Sequence, residues 1–356
     1  MNIIEEVERV VSPVYLVGGS VRDVILGKEP KDYDFCTPLS PDEIETCVRK
    51  AGKRAYITGK RFGTIGFTIK GEMIEVTTFR TEKYDGKSRK PQVEFVEDIN
   101  NDLSRRDFTI NAMAKKGDKL IDPYGGRLDI LERKIKTVGN ATVRIKEDPL
   151  RMLRAARFAS QLGFEVDTNL IGKMRRHAHM IYRVSKERWV AEIDKILMSD
   201  DPTTGLRVLA DSFLLKFVLP ELWLQVGYDQ DSPYHELTLW EHTLSTVKIS
   251  PRDNDMRWSA LLHDVGKPFT AVKNNRGYTN YIMHDTVGAE IVLGIAKRLK
   301  WSNERSETVF ETVKNHMRAE SPIRDADNAS KVNMNKLDNS ITAMVQSNNI
   351  ERTEQQ

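Results

Sequence analysis

The segment from Val14 to Phe35 constrains the possible folds more than any other part of the chain. It reads VYLVGG, SVRDVILGKEP and KDYDF in succession: an apolar run ending in two glycines, a helical pattern and a second short strand pattern. An apolar run that ends in glycines predicts a buried strand followed by a tight turn. Ser20 is a candidate N-cap of the following helix, and Gly27 is a candidate stop. The segment therefore predicts a fold that combines strands and helices.

The pattern of secondary structure changes near residue 140. Before it, PLSPDEIETCVRKAG predicts a helix with Ser40 as N-cap, and GTIGFTIKGEMIEVTTFR predicts a β-hairpin that turns at Lys70 and Gly71. After it, helical periodicity dominates segments such as EDPLRMLRAARFASQLG, and strand patterns vanish. We expect an α+β head with a mixed sheet, an all-α neck and body, a helical domain rich in histidine and a poorly ordered polar tail, at residues 1–140, 141–225, 226–320 and 321–356.

Composition and charge narrow the class of protein. The chain has no run of 18 apolar residues, so we expect no membrane span, and its start, MNIIEEVERV, lacks the pattern of a signal peptide. Its 2 cysteines are too few for a disulfide scaffold and predict a cytoplasmic location. Residues 101–190 hold 20 Lys and Arg against 11 Asp and Glu. This excess predicts either a solvated helical surface or a face that binds nucleic-acid phosphates.

Asp32 and Asp34 lie two residues apart in the second strand pattern. Alternate residues of a strand face the same side, so the two carboxylates project together and repel each other unless a cation lies between them. Oxygen ligands of this kind favour Mg²⁺, which takes one or two carboxylates together with substrate phosphates. The alternative is an exposed edge strand with solvated aspartates. Glu75, in MIEVTTF, is either a third carboxylate of this site or an ordinary surface residue.

The glycine turn upstream of these aspartates predicts a phosphate site. Gly18, Gly19 and Ser20 stand at the start of a predicted helix, where backbone N–H groups point outwards and favour an anion. One part of the segment would then hold a triphosphate, and the acidic part would hold its metals.

Four segments resemble, in order, the motifs of one enzyme family. LVGGSVRDVILGKEPKDYDF is similar to the first motif of the class II tRNA nucleotidyltransferases, the CCA-adding enzymes, which belong to the DNA polymerase β-like superfamily. SRRDFTINAMA is similar to the second motif, EDPLRMLRAARFA to the base-selecting motif, and KERWVAEIDKIL to a helical motif of the body. The resemblance implies a polymerase β-like head and the addition of CCA to the 3′ end of tRNA from CTP and ATP.

The resemblance also implies roles for individual residues in two-metal nucleotidyl transfer, with Mg²⁺ as the metal. The residues implied are Asp32 and Asp34 as metal ligands, Gly18, Gly19, Ser20 and Arg22 at the triphosphate, and Arg106, Asp107 and Asn111 at the sugar and phosphates.

The base-selecting segment supports a separate chemical argument. Asp148 precedes Pro149 and can cap a helix, and Arg151 lies three residues further along the same face. A carboxylate accepts hydrogen bonds and a guanidinium donates them. Cytosine and adenine present an amino group beside a ring-nitrogen acceptor, whereas uracil and guanine present the reverse order. The pair therefore predicts selection of CTP and ATP, unless Asp148 is only a cap and Arg151 only a solvated side chain. Arg154 and Arg157 continue the spacing and would bind phosphate or line the RNA path.

A later segment resembles an HD domain of the kind attached to some CCA-adding enzymes. The similar stretches are LWEHTL, ALLHDVGKP, MHDTVGAE and NHM. The resemblance implies that His242, His263, Asp264 and His284 surround a transition metal, and that metal-bound water hydrolyses phosphoesters. An HD fold kept for shape and RNA contact alone is the alternative. Asp338 is a weak candidate for the later aspartate that such sites use.

Several functions remain open from the residues alone. Bacterial poly(A) polymerases share much of the head, and enzymes that add only CC or only A are close variants. The segments GKRFGTIGF and FRTEKYDGKSRKPQVEF resemble those of enzymes that complete CCA. From another class, the chain could be an HD phosphohydrolase with an RNA-binding head.

Overall fold

The computed structural model describes residues 3–83, 92–231, 237–318 and 321–330. The chain divides into two compact units, which are Met1–Arg151 with Phe164–Lys173, and Met152–Gly163 with Met174–Gln356. We refer to them as the head unit and the helical unit. A search of the described residues finds no helix that is both long and apolar enough to cross a membrane.

A six-stranded mixed sheet forms the centre of the head unit. The strands of this unit are β1 (Tyr15–Val17), β2 (Asp34–Thr37), β3 (Thr64–Ile69), β4 (Glu72–Thr78), β5 (Arg80–Lys83), β6 (Gln92–Phe95), β7 (Ala114–Lys116), β8 (Lys119–Ile121), β9 (Lys134–Ile135) and β10 (Glu165–Val166). The order across the sheet is β3-β4-β2-β1-β7-β8. Only β2 and β4 pair in parallel within it, so the predicted mixed sheet is confirmed. Two separate pairs, β5 with β6 and β9 with β10, complete the strands.

The helices of the head unit are short. They are α1 (Ile3–Val10), α2 (Gly19–Ile25), α3 (Pro41–Lys50), α4 (Ile99–Ser104), α5 (Gly126–Leu131) and α6 (Ala141–Glu147), with 3₁₀ turns at Lys60–Phe62 and Thr109–Asn111. Helix α3 begins as predicted, because Ser40 and Glu43 form a reciprocal capping box ahead of Pro41.

Local chemistry explains why the sheet forms where it does. The hairpin between β3 and β4 turns at Lys70 and Gly71, as predicted, and both residues have positive φ, 51° and 86°. A two-residue turn of this kind matches the twist of paired strands. The central strands β1 and β2 are apolar on both sides, since Leu16, Val17 and Phe35 are all buried. The strand that carries Asp34 is therefore fixed by apolar packing.

Helices make up almost all of the described helical unit. Helices α7 (Leu150–Leu162) and α8 (Thr168–His177) have residues in both units, and the remaining helices are α9 (Lys186–Leu197), α10 (Pro202–Asp211), α11 (Leu214–Val218), α12 (Pro220–Trp223), α13 (Leu239–Ile249), α14 (Asn254–Leu262), α15 (Lys267–Thr270), α16 (His284–Leu299), α17 (Asn303–Lys314) and α18 (Arg324–Ser330), with a 3₁₀ turn at Ala178–Arg183. Gly205 allows close packing here, because a Cβ atom at this position would lie 2.6 Å from the carbonyl oxygen of Ala156.

Two features of the helical unit differ from the expectation. A small hairpin forms from β11 (Ala271–Lys273) and β12 (Thr279–Tyr281), although no strand was expected after residue 140. Strands of three residues are too short to show an alternating pattern. Helix α18 forms at the start of the segment predicted to be a poorly ordered polar tail, and its Ala326 and Asp327 are buried. The domain limits themselves remain predictions.

Candidate active site and metal cluster

The turn after β1 brings the first and second motifs together. Gly18 has a φ of 69° and caps α2, which begins at Gly19. A Cβ atom at Gly18 would lie 2.8 Å from Nη1 of Arg106 and 3.8 Å from Oδ2 of Asp34. Only glycine combines this backbone conformation with so close an approach. Gly18 is therefore the point at which Arg106 meets the acidic strand.

Ser20 does not cap a helix, which corrects the prediction. It lies within α2 and is 2% exposed. Its hydroxyl donates to the carbonyl oxygen of Asp32 at 2.9 Å and accepts from the backbone N–H of Asp34 at 3.0 Å. The polarity that predicted an N-cap serves instead to fix the acidic segment against α2. Its assignment to the triphosphate remains a prediction.

Asp32 and Asp34 are not alternate residues of one strand, as the spacing predicted. Asp32 lies in a bend, and β2 begins at Asp34. The parallel register of β2 and β4 places Asp34 beside Glu75. Burial raises the pKa of the Asp34 carboxyl, Arg106 lowers it, and the charges of Glu75 and Asp32 raise it further. The carboxylates are thus close enough to repel one another, and a bound cation would relieve this repulsion.

The second motif adds a chain of hydrogen bonds beside this acidic group. Arg22 donates to Oδ1 of Asn111 at 2.8 Å, and Nδ2 of Asn111 donates to Oδ1 of Asp107 at 3.2 Å. A Cβ atom at Gly19 would lie 3.4 Å from Nη2 of Arg22. Residues predicted from two separate motifs therefore contact one another in the head unit.

The structure confirms that Asp148 caps a helix. Its carboxylate accepts from the backbone N–H of Leu150 at 3.1 Å, where α7 begins. Arg151 is 7% exposed, so it is not the solvated side chain of the alternative interpretation. Its guanidinium donates to Glu147 at 2.7 Å and to the carbonyl oxygens of Arg144 and Arg105 at 3.1 and 3.0 Å.

Glu147 was not predicted as a site residue. Its two carboxylate oxygens accept from Arg144 and Arg151, each at 2.7 Å. The signal was present in the sequence, since Glu147 stands three residues after Arg144 and four before Arg151. Base selection by Asp148 and Arg151 remains a prediction, but Arg151 is held in one position.

Arg154 and Arg157 belong to the helical unit. Arg157 is 8% exposed, lies 3.3 Å from a carboxylate oxygen of Glu192 in α9, and covers the ring of Phe158. Arg154 also lies over Phe158, at 5.4 Å from the ring centroid. The expected contact of Arg157 with phosphate or RNA remains a prediction that its burial does not support.

The helical unit contains a second constellation, which we call the histidine cluster. Its residues form two sets of potential metal ligands that share Asp264, namely His242, His263, Asp264 and Asp327, and Asp264, His284 and His316. Within each set, one ligand atom from every residue lies within 4.8 Å of the others. Among the described residues, these are the sets of at least three histidine, cysteine or acidic side chains that meet this distance. Among the described residues, the carboxylates of Asp32, Asp34 and Glu75 do not form a set within this distance.

The carboxylate of Asp264 joins the two halves of the histidine cluster. Its Oδ2 lies 3.2 Å from Nε2 of His242 and 3.1 Å from Nε2 of His263. Its Oδ1 lies 3.4 Å from Nε2 of His284 and 3.8 Å from Nε2 of His316. The geometry fits a carboxylate that bridges two cations.

Hydrogen bonds at the other ring nitrogens fix the orientation of the histidines. Nδ1 of His263, His284 and His316 lies 2.8, 2.7 and 2.6 Å from the carbonyl oxygens of Ala260, Tyr281 and Val313. A carbonyl oxygen only accepts, so each Nδ1 carries the proton and each Nε2 can present a lone pair to a metal. His242 makes the corresponding contact through Nδ1 with the Ser330 hydroxyl at 2.8 Å.

The two halves of the cluster differ in their electrostatics. Burial lowers the pKa of His263, but Asp264 and Asp327 outweigh it and raise the pKa to about 10. Burial and the charge of His263 lower the pKa of His316 to about 4. The half that contains both aspartates therefore favours a positive charge, which a metal ion would supply in place of a proton.

The histidine cluster brings together all four residues predicted for it and adds two. His316 was recognised in NHM but was not assigned as a ligand, and Asp327 was missed because the composition of its segment predicted a polar tail. Asp338 lies outside the described residues. Gly266 makes the cluster possible, because a Cβ atom there would lie 2.1 Å from the carbonyl oxygen of His284.

Family models match three consecutive parts of the chain. The poly A polymerase head domain matches residues 14–136, the probable RNA and SrmB-binding site of polymerase A matches residues 163–225, and the HD domain matches residues 239–343. The resemblance inferred from the motifs is thereby confirmed, and so is the predicted fold class.

Curated relatives and solved structures agree with these matches. A CCA-adding enzyme of Geobacillus thermodenitrificans is 33% identical over 320 residues, which cover 86% of this chain and 72% of the relative. A CCA-adding enzyme of Bacillus pumilus is 41% identical over 71% of this chain and 59% of its own length. The crystal structure of the Bacillus stearothermophilus CCA-adding enzyme in complex with CTP is 28% identical, with a TM-score of 0.61 over 91% of this chain and 80% of that chain.

These features define a class of proteins in which a poly A polymerase head domain is followed by a helical region and an HD domain. The chain belongs to the family of CCA-adding enzymes. The chain spans 54% to 64% of the length of seven curated CCA-adding enzymes that it matches.

Proposed function

We propose that the chain is a template-independent tRNA nucleotidyltransferase of the cytoplasm, which adds or repairs the 3′-terminal CCA of tRNA from CTP and ATP. The proposal rests on the proximity of Gly18, Arg106 and Asp34. It places the guanidinium of Arg106 beside a group of carboxylates at a glycine turn. Nucleotidyl transfer needs such a combination of charges around a triphosphate. The solved structure of a 28% identical relative, described as a complex with CTP, supports CTP as one substrate.

Asp32, Asp34 and Glu75 would hold Mg²⁺ in the head. When bound there, the metal would assist deprotonation of the RNA 3′-hydroxyl and offset the charge of the departing pyrophosphate. The mutual repulsion of these carboxylates fits a cation, since burial and the neighbouring acids raise the pKa of Asp34 even though Arg106 opposes them. Arg106 would bind a phosphate oxygen, and Arg22, Asn111 and Asp107 would orient the sugar.

Asp148 and Arg151 would select the base. Glu147 and two carbonyl oxygens accept hydrogen bonds from the Arg151 guanidinium, so its orientation is constrained. A fixed donor beside a fixed acceptor distinguishes cytosine and adenine from uracil and guanine through the cost of unpaired polar groups.

One assay tests the proposal against its alternatives. The protein is incubated with Mg²⁺, each labelled nucleoside triphosphate in turn, and tRNA transcripts that end before CCA, after C or after CC, with an unrelated RNA as control. We expect addition of C, C and A to tRNA and then a stop. Long A tails on the unrelated RNA would indicate a poly(A) polymerase instead, and arrest after CC or addition of A alone would indicate a partial enzyme.

We propose metal-dependent phosphoester hydrolysis as a second activity, located at the histidine cluster. The observation that favours it is the pair of ligand sets that share Asp264, with three Nδ1 atoms held by carbonyl oxygens. Imidazole and carboxylate together suit a transition metal, which would supply a bound water as nucleophile. Lys267, whose Nζ lies 2.7 Å from Asp264, would offset negative charge on a phosphate.

Metal content and hydrolysis test this second activity together. The purified chain is loaded with Mn²⁺, Ni²⁺ or Zn²⁺, the bound metal is measured by mass spectrometry, and hydrolysis of bis(p-nitrophenyl) phosphate is followed. We expect bound metal and hydrolysis, both lost in Asp264→Asn. A chain that binds no transition metal and hydrolyses nothing would leave the HD region with a structural role only.

A further inference from the structure

Asp102 is a buried acid that no motif argument assigned to the site. It lies in α4, and it is 0% exposed. Its Oδ1 accepts from the backbone N–H of Arg80 at 3.2 Å and from Nη2 of Arg105 at 2.8 Å. Its Oδ2 accepts from Nη2 of Arg106 at 3.1 Å. The carboxylate of Asp102 thus forms hydrogen bonds to two different parts of the head unit.

The first of these parts is the start of β5. Besides its contact with Asp102, Arg105 donates to the carbonyl oxygen of Arg80 at 3.0 Å and to Glu82 at 2.8 Å. The backbone of Arg80 therefore bonds to Asp102 through its N–H and to Arg105 through its carbonyl group. These contacts fix the stem of the β5–β6 pair to α4.

The second part is the active-site cation. Nη1 of Arg106 is the atom that a Cβ atom at Gly18 would strike, and the Arg106 charge lowers the pKa of Asp34 against burial and the neighbouring acids. Among the described residues, Nε of Arg106 is buried and has no hydrogen-bond partner. Arginine has several rotatable bonds, so its guanidinium stays beside Gly18 only if other groups hold it there.

Charge balance explains why an acid is needed at this position. Arg105 and Arg106 are consecutive, and both guanidinium groups contact the buried carboxylate of Asp102, so the two cations would repel each other if no negative charge lay between them. A neutral amide in place of the carboxylate offers a single acceptor oxygen and directs an N–H₂ donor at one of the two guanidinium groups.

We propose that Asp102 is a positioning residue for nucleotidyl transfer, which holds Arg106 beside Gly18 and Asp34 and ties it to the stem of β5. The proposal deepens the transferase function proposed above and rests on it for the reaction concerned. The position of the Arg106 guanidinium depends on Asp102 whichever reaction the chain catalyses.

The first test is kinetic and uses Asp102→Asn with CCA-lacking tRNA and CTP. We expect kcat to fall about 10- to 100-fold, the equivalent of one lost charge-assisted hydrogen bond. Asp98→Asn is the matched control, since Asp98 caps the same helix, is exposed and contacts Asn100 rather than an arginine of the site. The control should stay within about twofold of the unchanged chain, as is usual for exposed positions.

A second variant guards against misfolding of Asp102→Asn. The double change Asp102→Asn with Arg105→Gln removes one negative and one positive charge, so the net charge is unchanged and Arg106 no longer has a second guanidinium beside it. The same loss of kcat is expected at a temperature where circular dichroism shows a folded chain. A lowered Tm with unchanged kcat in both variants would mean that Asp102 only stabilises the fold, and would overturn the proposal.

A crystal structure of Asp102→Asn supplies a readout that does not depend on activity. We expect the Arg106 guanidinium to have left its place beside Gly18, with the backbone of α4 unchanged. An Arg106 side chain that keeps its position would overturn the proposal. If the unchanged chain adds no nucleotide to any tRNA, the proposed transferase function fails, and the position of Arg106 in this variant still decides the role of Asp102.

Discussion

At the scale of single residues, the head depends on carboxylates that the fold brings close to one another. Asp34 lies beside Glu75 across two parallel strands, and burial raises its pKa, with Arg106 opposing and Glu75 and Asp32 adding to the rise. A carboxylate in such a place costs stability in the free protein, and a bound cation would offset this cost.

Asp34→Asn should abolish nucleotide addition while leaving the chain folded. Rates of addition should fall at least about a thousandfold, since the residue would touch the metal, and Tm should stay equal or rise because like charges are removed. Radiolabel incorporation and thermal melting measure the two effects. Glu72→Gln, an exposed change on the same strand as Glu75, is the control and should leave both quantities unaltered. Addition that survives in Asp34→Asn would refute the metal assignment.

Arg151→Ala should relax the choice of base. The ratio of CTP to UTP incorporation should fall about tenfold or more, because the donor that distinguishes the two bases is removed. Stability should also fall by about 1–3 kcal/mol, since Glu147 loses one of its two partners. Competition assays with both nucleotides measure the ratio, with the exposed Arg127→Ala as control. An unchanged ratio of CTP to UTP incorporation in a folded variant would show that Arg151 only holds Glu147 at the end of α6 and does not select the base.

At the scale of secondary-structure elements, the candidate site of the head is built from a short strand and a short helix. Helix α2 is seven residues long, and the strand before it has three. Neither has much stability of its own. The approach of Arg106 to Gly18 and the bridge from Ser20 to the acidic segment hold these elements together.

Gly18→Ala should inactivate the enzyme, and Gly27→Ala should not. Both glycines have φ near 70°, but the ψ of Gly18 is −135°, so Gly27→Ala costs about 1–2 kcal/mol of folding free energy and Gly18→Ala costs at least as much. A Cβ atom at Gly18 meets Arg106 at 2.8 Å, whereas one at Gly27 meets nothing within 4 Å. Denaturant unfolding should therefore show a loss of stability in both variants, the larger one in Gly18→Ala. Nucleotide addition, measured under conditions where both variants are folded, should be lost only in Gly18→Ala. Equal rates of nucleotide addition in the two variants would show that the close approach of Arg106 to Gly18 is not needed for the reaction.

The same elements show what could be predicted from sequence and what could not. The hairpin at Lys70 and Gly71, the cap at Ser40 and the mixed strand and helix order followed from local patterns, and the structure confirms them. Ser20 was misassigned because a serine at the start of a helical pattern resembles an N-cap, whatever its side chain meets in three dimensions. Asp102 and Glu147 each stand three and four residues from their arginine partners, a spacing that indicates helical ion pairs and does not distinguish a site from an ordinary helix surface. Asp327 was hidden by the polar composition around it.

At the scale of the whole molecule, one chain contains two chemically different groups of potential metal ligands. The head has oxygen ligands that suit Mg²⁺, and the histidine cluster has mixed imidazole and carboxylate ligands that suit a transition metal. The family models assign these two regions separately, to a polymerase head and to an HD domain.

Variants of the two sites should therefore have separable effects. Asp264→Asn should lose transition metal and phosphodiester hydrolysis and keep CCA addition within about twofold, because its ligand partners all lie in the helical unit. Asp34→Asn should show the opposite result. Metal analysis, hydrolysis and nucleotide incorporation are measured on both proteins in parallel. A loss of CCA addition in Asp264→Asn, with the fold intact, would contradict separate sites.

The hydroxyl of Ser20 has a consequence for the order of folding. It joins residues only 12 and 14 positions apart in the chain, the backbone of Asp32 and of Asp34. Contacts between residues so near in sequence close at little entropic cost, so they can form before the distant strands of the sheet have paired. The hydrogen bonds of Ser20 can therefore give the acidic segment its shape by local chain closure, without the distant strands of the sheet having paired first.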